Sequence, residues 1–211
     1  MNITPHLLDA SGRLDVYEAS IRSAFEEGLR KVEAVLALPA VDVVVADNPD
    51  AAIPETGVGG FSPSAHLVYI SIDPLHPALE KNLEREIQST LAHELHHCAR
   101  WQAVGYGKTL LEALVSEGLA DHFDLEVNGG EPKPWSVAIG GDALEAMQEK
   151  AKADFFNEHY NHAAWFFGSQ QDGIPRWAGY SLGFHLAAEY MKKMQKSAAD
   201  LVAEDAKLFI E

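Results

Sequence analysis

The pentapeptide His93-Glu94-Leu95-His96-His97 constrains this chain more than any other stretch, because it lies inside Leu83 to Ala103, a segment that reads as a helix. On a helix, residues four apart share one face about a turn from each other, so His93 and His97 can both aim an imidazole nitrogen at a single ion. Glu94 then stands beside that ion without ligating it. Two neutral nitrogen ligands with a carboxylate in reach of a water are what metal-assisted hydrolysis requires. The same residues also fit a solvated polar helix face, and the pentapeptide alone does not choose between the two.

A chain of 211 residues can bury a substantial core. We expect one domain over residues 1–211, with a sheet and the motif-bearing helices in 1–125 and a helical subdomain in 126–211. An apolar fraction of 47% and a charged fraction of 23%, without repeats or low-complexity tracts, are those of a globular protein. The net charge of −16, from 16 Lys+Arg against 32 Asp+Glu, argues against a nucleic-acid partner and against anionic membranes. Met1 to Ala10 shows no basic stretch followed by an apolar one, and no apolar run approaches a membrane span. The expectation is a cytoplasmic protein. The lone Cys98 leaves no internal disulfide and fits a reducing compartment.

Leu14, Tyr17, Ile21, Phe25, Leu29, Val32 and Leu36 recur at three- and four-residue steps, which predicts a helix from Leu14 to Leu38, ended by Pro39. Val41 to Ala46 reads as a buried strand. Gly57-Val58-Gly59-Gly60-Phe61 and the alternating Leu67 to Ile72 flank a turn-like Ser62-Pro63-Ser64, and together read as a β-hairpin. Glycines let another backbone approach, so the Gly59-Gly60 leg is a candidate edge for taking up a peptide; a mobile surface loop is the other reading. A second helix is expected from Lys108 to Leu125, closed by Asn128-Gly129-Gly130, then a loop from Glu131 to Gly141. Further helices are expected from Ala143 to Phe156 with Asp142 as cap, from Tyr180 to Lys196, and from Ala198 to Phe209 with Ser197 as cap.

Two histidines leave a catalytic zinc one protein ligand short. Glu117 follows His97 with nineteen residues between, enough to leave one helix, turn and bring a second back. Asp121, four residues on, lies on the same helical face, where a carboxylate can accept the outer N–H of a ligand histidine. Taken alone, Glu117 and Asp121 read as a solvent-facing pair; following His93 and His97 at this distance they read as ligand and support.

With His93, Glu94, His97, Glu117 and Asp121 in place, the chain resembles the gluzincin metallopeptidases, the thermolysin-like group in which a glutamate on the next helix, with an aspartate four residues further, follows the two histidines. Ser116-Glu117-Gly118-Leu119-Ala120-Asp121 and Trp177-Ala178-Gly179-Tyr180-Ser181-Leu182-Gly183 look more narrowly like the YjaZ-type family of predicted zinc-dependent proteases, over about the C-terminal two-thirds. The resemblance implies an α+β, zincin-like fold. In it a small mixed or antiparallel sheet with a glycine-bearing edge strand packs on the motif helix and a glutamate-bearing helix, and a mostly helical part follows. It also implies an edge at Val58 to Phe61, with Gly59 and Gly60, along which extended substrate lies. It further implies Zn²⁺ held by His93, His97 and Glu117, Glu94 as general base, and a peptide or protein substrate.

An oxyanion donor is also needed. Tyr180, heading a helix, is the first candidate, with Tyr106 and His185 behind it; a core tyrosine is the other reading of Tyr180. His96 reads as a supporting or surface group, His122 as pointing elsewhere, and Cys98 as a packed thiol. His159, His162 and Trp165-Phe166-Phe167 fit either a side-chain pocket or core packing. Two other functions share the motif: a non-catalytic, zinc-stabilised protein-binding module, which leaves Glu94 without a purpose, and a metal hydrolase of a non-peptide substrate. Cobalt or manganese also suits such a ligand set.

Overall fold

The computed structural model describes residues 3–211; Met1 and Asn2, at the head of the stretch read for a leader, lie outside them. The chain divides into two compact units, Met1–Gln102 and Ala103–Glu211.

The first unit holds a four-stranded mixed sheet of β1 (Ile3–Leu8), β2 (Val41–Asp47), β3 (Val58–Ser64) and β4 (Leu67–Ile72), in the order β1-β2-β4-β3. β1, β2 and β4 run parallel, and β3 pairs antiparallel with β4, so the glycine-bearing strand is an edge. Ser62-Pro63-Ser64, read as the hairpin's turn, instead belong to β3 with a shift in register, and the chain reverses at Ala65-His66. The alternation in β2 buries Val41, Val43 and Val45, and β4 adds Val68, Ile70 and Ile72. Helices α1 (Glu18–Glu33) and α2 (Leu79–Ala103) complete the unit. α1 turns Ile21, Phe25, Leu29 and Val32 inward, and meets α2 where Gly28 packs on Gln88 and Leu91. α2 is buried on almost every side from Leu91 to Arg100, so its polar residues there are enclosed by protein.

The second unit is helical: α3 (Leu110–Asn128), α4 (Gly141–Lys152), α5 (His162–Phe167) and α6 (Ala178–Met194). α3 starts at a capping box, in which Thr109 Oγ1 accepts from the Glu112 amide and Glu112 Oε2 accepts from the Thr109 amide. It stops at Gly129, whose φ of 68° ends the helix. α3 and α6 touch backbone to backbone at Gly118 and Gly183: a Cβ on Gly118 would stand 2.0 Å from the Gly183 carbonyl oxygen.

Several expectations are corrected. β1 was not anticipated, because it buries only Ile3 of its six residues and carries Pro5, which an edge strand tolerates. The first helix is shorter than Leu14 to Leu38. A 3₁₀ turn at Asp15–Tyr17 precedes it, and its end tightens so that the Val35 and Leu36 amides both reach the Val32 carbonyl. Asp142 lies inside α4, and Gly140 holds the cap position; an acidic residue in the first turn instead complements the helix dipole. The helix from Ala198 to Phe209 is absent. Glu126 takes the Ala198 and Ala199 amides, three-residue turns follow, and only a 3₁₀ segment forms at Ala206–Ile210. Among the described residues, no helix is long and apolar enough to cross a membrane.

Candidate metal centre

In the first unit, α2 brings His93 and His97 together as their spacing predicts. Their Nε2 atoms lie 3.0 Å apart, with the rings edge-to-face at 84°. A tetrahedral zinc with bonds near 2.0–2.1 Å holds two nitrogens about 3.3 Å apart, so this pair fits such an ion. Burial decides against the solvated-face reading: Glu94 is 5% exposed and His97 4%. His96 is fully buried, which removes the surface reading for that residue too.

Glu94 has a partner that sequence reasoning missed. Ser62, buried in β3, reaches Glu94 Oε2 at 2.6 Å and the Glu94 carbonyl at 3.0 Å. A strand side chain repeats every second residue, so Ser62 shares its face of β3 with Gly60. Gly60 lies against the other carboxylate oxygen: a Cβ there would stand 2.5 Å from Glu94 Oε1 and 2.6 Å from Thr90 Cγ2. Gly59 faces the opposite way, where a Cβ would meet the Ala51 carbonyl oxygen at 2.4 Å. Both glycines are thus demanded by packing, whatever else the edge does. Cys98 is a packed thiol, as expected. Its Sγ lies 3.9 Å from Ser62 Oγ and 3.6 Å from the Ser64 carbonyl, and burial pushes it up to about 12.

In the second unit, α3 carries Glu117 and Asp121, both buried, on one face. The Tyr106 hydroxyl donates to Glu117 Oε1 in a short hydrogen bond, and Ser116 Oγ ties down the Tyr106 carbonyl at 2.7 Å. Burial and then the Glu117 charge push the Tyr106 hydroxyl well above its usual range, so it keeps its proton and donates. Burial with the same charge pushes Tyr160 up to about 12. Asp121 accepts from Trp135 Nε1 at 3.3 Å and from Ser136 Oγ at 2.6 Å, which pins the 131–140 loop to α3. Ser181 Oγ holds the same loop from α6, donating to the Trp135 carbonyl at 2.9 Å.

Tyr180 stands in the first turn of α6, edge-to-face on Phe166 with centroids 5.0 Å apart and 6.5 Å from the Trp135 ring. His185 turns to Glu189 at 3.3 Å, on a partly exposed flank of α6. His122 points elsewhere, stacked on Phe184 with Nε2 2.9 Å from its carbonyl oxygen. Trp165 and Phe166 are core, Phe167 is exposed, and His162 stacks on Phe166.

The family described as predicted Zn-dependent protease (DUF2268) matches residues 21–211, and the chain belongs to that family. A curated relative, the uncharacterized protein YjfC of Bacillus subtilis (strain 168), is 26% identical over 172 residues, covering 74% of this chain and 55% of that protein. The chain therefore spans about half the length of the relative it matches. No solved structure matches it.

Proposed function

We propose that the protein is a zinc-dependent peptidase of the gluzincin type, acting on peptide or protein substrates. One observation carries the reading: on α2 two imidazole nitrogens converge at 3.0 Å, and the adjacent Glu94 carboxylate is buried with a hydroxyl donor in place. Membership of a family of predicted Zn-dependent proteases supports it. Glu117 is the third ligand in this reading. The short hydrogen bond from Tyr106 that fixes Glu117 Oε1 supports that role, as does the burial of Glu117 on α3.

Zinc on such a set supplies Lewis acidity, which polarises a scissile carbonyl and makes a water easier to ionise. The protein's own residues do the rest. Glu94 takes a proton from the attacking water and passes it to the leaving amine nitrogen. Tyr180 donates to the developing oxyanion, since the Tyr106 hydroxyl is already committed to Glu117. Asp121 orients a ligand histidine, and extended substrate adds along the outer edge of β3, at Gly59 and Gly60, by backbone pairing.

Digestion of a peptide library by zinc-loaded protein, with a chelator control, tests this. Glu94→Gln is expected to keep its zinc and lose hydrolysis, and Glu117→Ala to lose zinc affinity. Cleavage at the native rate by Glu94→Gln, or no cleavage of any peptide by the zinc-loaded native protein, overturns the proposal.

A further inference from the structure

A carboxylate serves as a general base only when it is aimed, and a glutamate side chain has three rotatable bonds and two equivalent oxygens to aim. In the first unit, β3 fixes both ends of the Glu94 carboxylate. Ser62 Oγ lies 2.6 Å from Oε2, the length of a strong hydroxyl-to-carboxylate bond. On the same strand face, the missing Cβ of Gly60 leaves the room that Oε1 fills.

The serine is itself held. Trp101 Nε1 donates to the Ser62 carbonyl at 3.3 Å, which anchors that residue of β3 to the end of α2. Cys98 Sγ, at 3.9 Å, can only donate weakly to Ser62 Oγ, and so leaves the serine proton for an acceptor. Two acceptors compete for that proton, and the carboxylate is both the closer and the charged one, against a carbonyl at 3.0 Å.

We infer that Ser62 is a positioning residue for Glu94: its hydroxyl clamps Oε2 and commits Oε1 to the reacting water, while Gly60 keeps the space for that oxygen. The role of the water rests on the peptidase reading above. The clamp does not, and it can be measured separately in protein stripped of metal.

Ser62→Ala is compared with the native residue in two backgrounds, native and Glu94→Ala, by thermal unfolding of the full chain in chelator. Ser62→Ala is expected to lower Tm by on the order of 5 °C in the native background, where it strips a buried carboxylate of its donor. It should change Tm much less when Glu94 is alanine. Equal losses in the two backgrounds overturn the clamp.

In zinc-loaded protein, Ser62→Ala should keep its zinc and its KM while kcat falls roughly tenfold to a hundredfold, with Ser62→Thr restoring kcat. An unchanged kcat in Ser62→Ala overturns the positioning role. If native zinc-loaded protein cleaves nothing, the peptidase reading fails, and the unfolding comparison still decides whether Ser62 holds Glu94.

Discussion

Tyr106 and Tyr180 belong to the same unit, yet their surroundings give them different chemistry. Tyr106 spends its hydroxyl on Glu117, whereas Tyr180 is placed by ring contacts with Phe166 and Trp135. In the proposed mechanism the first supports a ligand and the second a developing charge. Tyr106→Phe is therefore expected to weaken zinc affinity about tenfold, read by competition with a chromogenic chelator. Tyr180→Phe should leave that affinity alone and lower kcat roughly 10²- to 10³-fold. The reverse pattern would exchange the two roles. Spacing alone placed His93 beside His97, because four residues on one helix are a local distance. Ser62 and Ser136 escaped notice because their carboxylate partners lie 32 and 15 residues away in the chain, and nothing in a serine announces a distant acceptor.

Among the elements, α3 and α6 depend on their glycine crossing. Gly118 immediately follows Glu117, and its lack of a side chain lets α6 come within backbone contact. A methyl group at that point would press on a carbonyl that cannot rotate away. Gly118→Ala should thus cost about 3 kcal/mol or more, despite alanine's better helix propensity, and should shift Glu117 with the helix. Urea unfolding measures the first effect and zinc affinity the second; a variant as stable as the native chain contradicts the crossing. Helices α1 to α4 and α6 and the pairing of β3 with β4 were legible from periodicity, which neighbours along the chain set, whereas α5 was not expected and the turn read at Ser62-Pro63-Ser64 lies within β3. β1 was not legible, because a short exposed edge strand owes its existence to the β2 backbone it pairs with.

At the scale of the whole molecule, protonation links the helical unit to solution conditions. Burial lowers the pKa of His122 and of His162 below the ordinary value of 6.5. The unfolded chain therefore takes up protons first as pH falls, and stability decreases from about 6.5 downward to the depressed folded values. Asp47, Glu27 and Asp200 are held below their usual carboxylate range, by Arg13, by Arg30 and by Ser197, and lose their contribution only in stronger acid. The urea midpoint is expected to be lower at pH 5.5 than at pH 7.5, with the difference reduced in His122→Gln. A midpoint that rises on acidification reverses this account.

By itself the sequence determined which residues could share one ion's face and where helices and strands begin to form, because helical and strand periods are properties of a few adjacent residues. Only the tertiary structure decided that Glu94, His96 and His97 are buried, that Ser62 and Gly60 embrace the two oxygens of Glu94, and that Tyr106 serves Glu117. Those facts depend on which strand face packs on α2 and on how a loop folds back on α3. Burial and hydrogen bonding between segments far apart in the chain are set by the fold that joins them, and no local pattern records them.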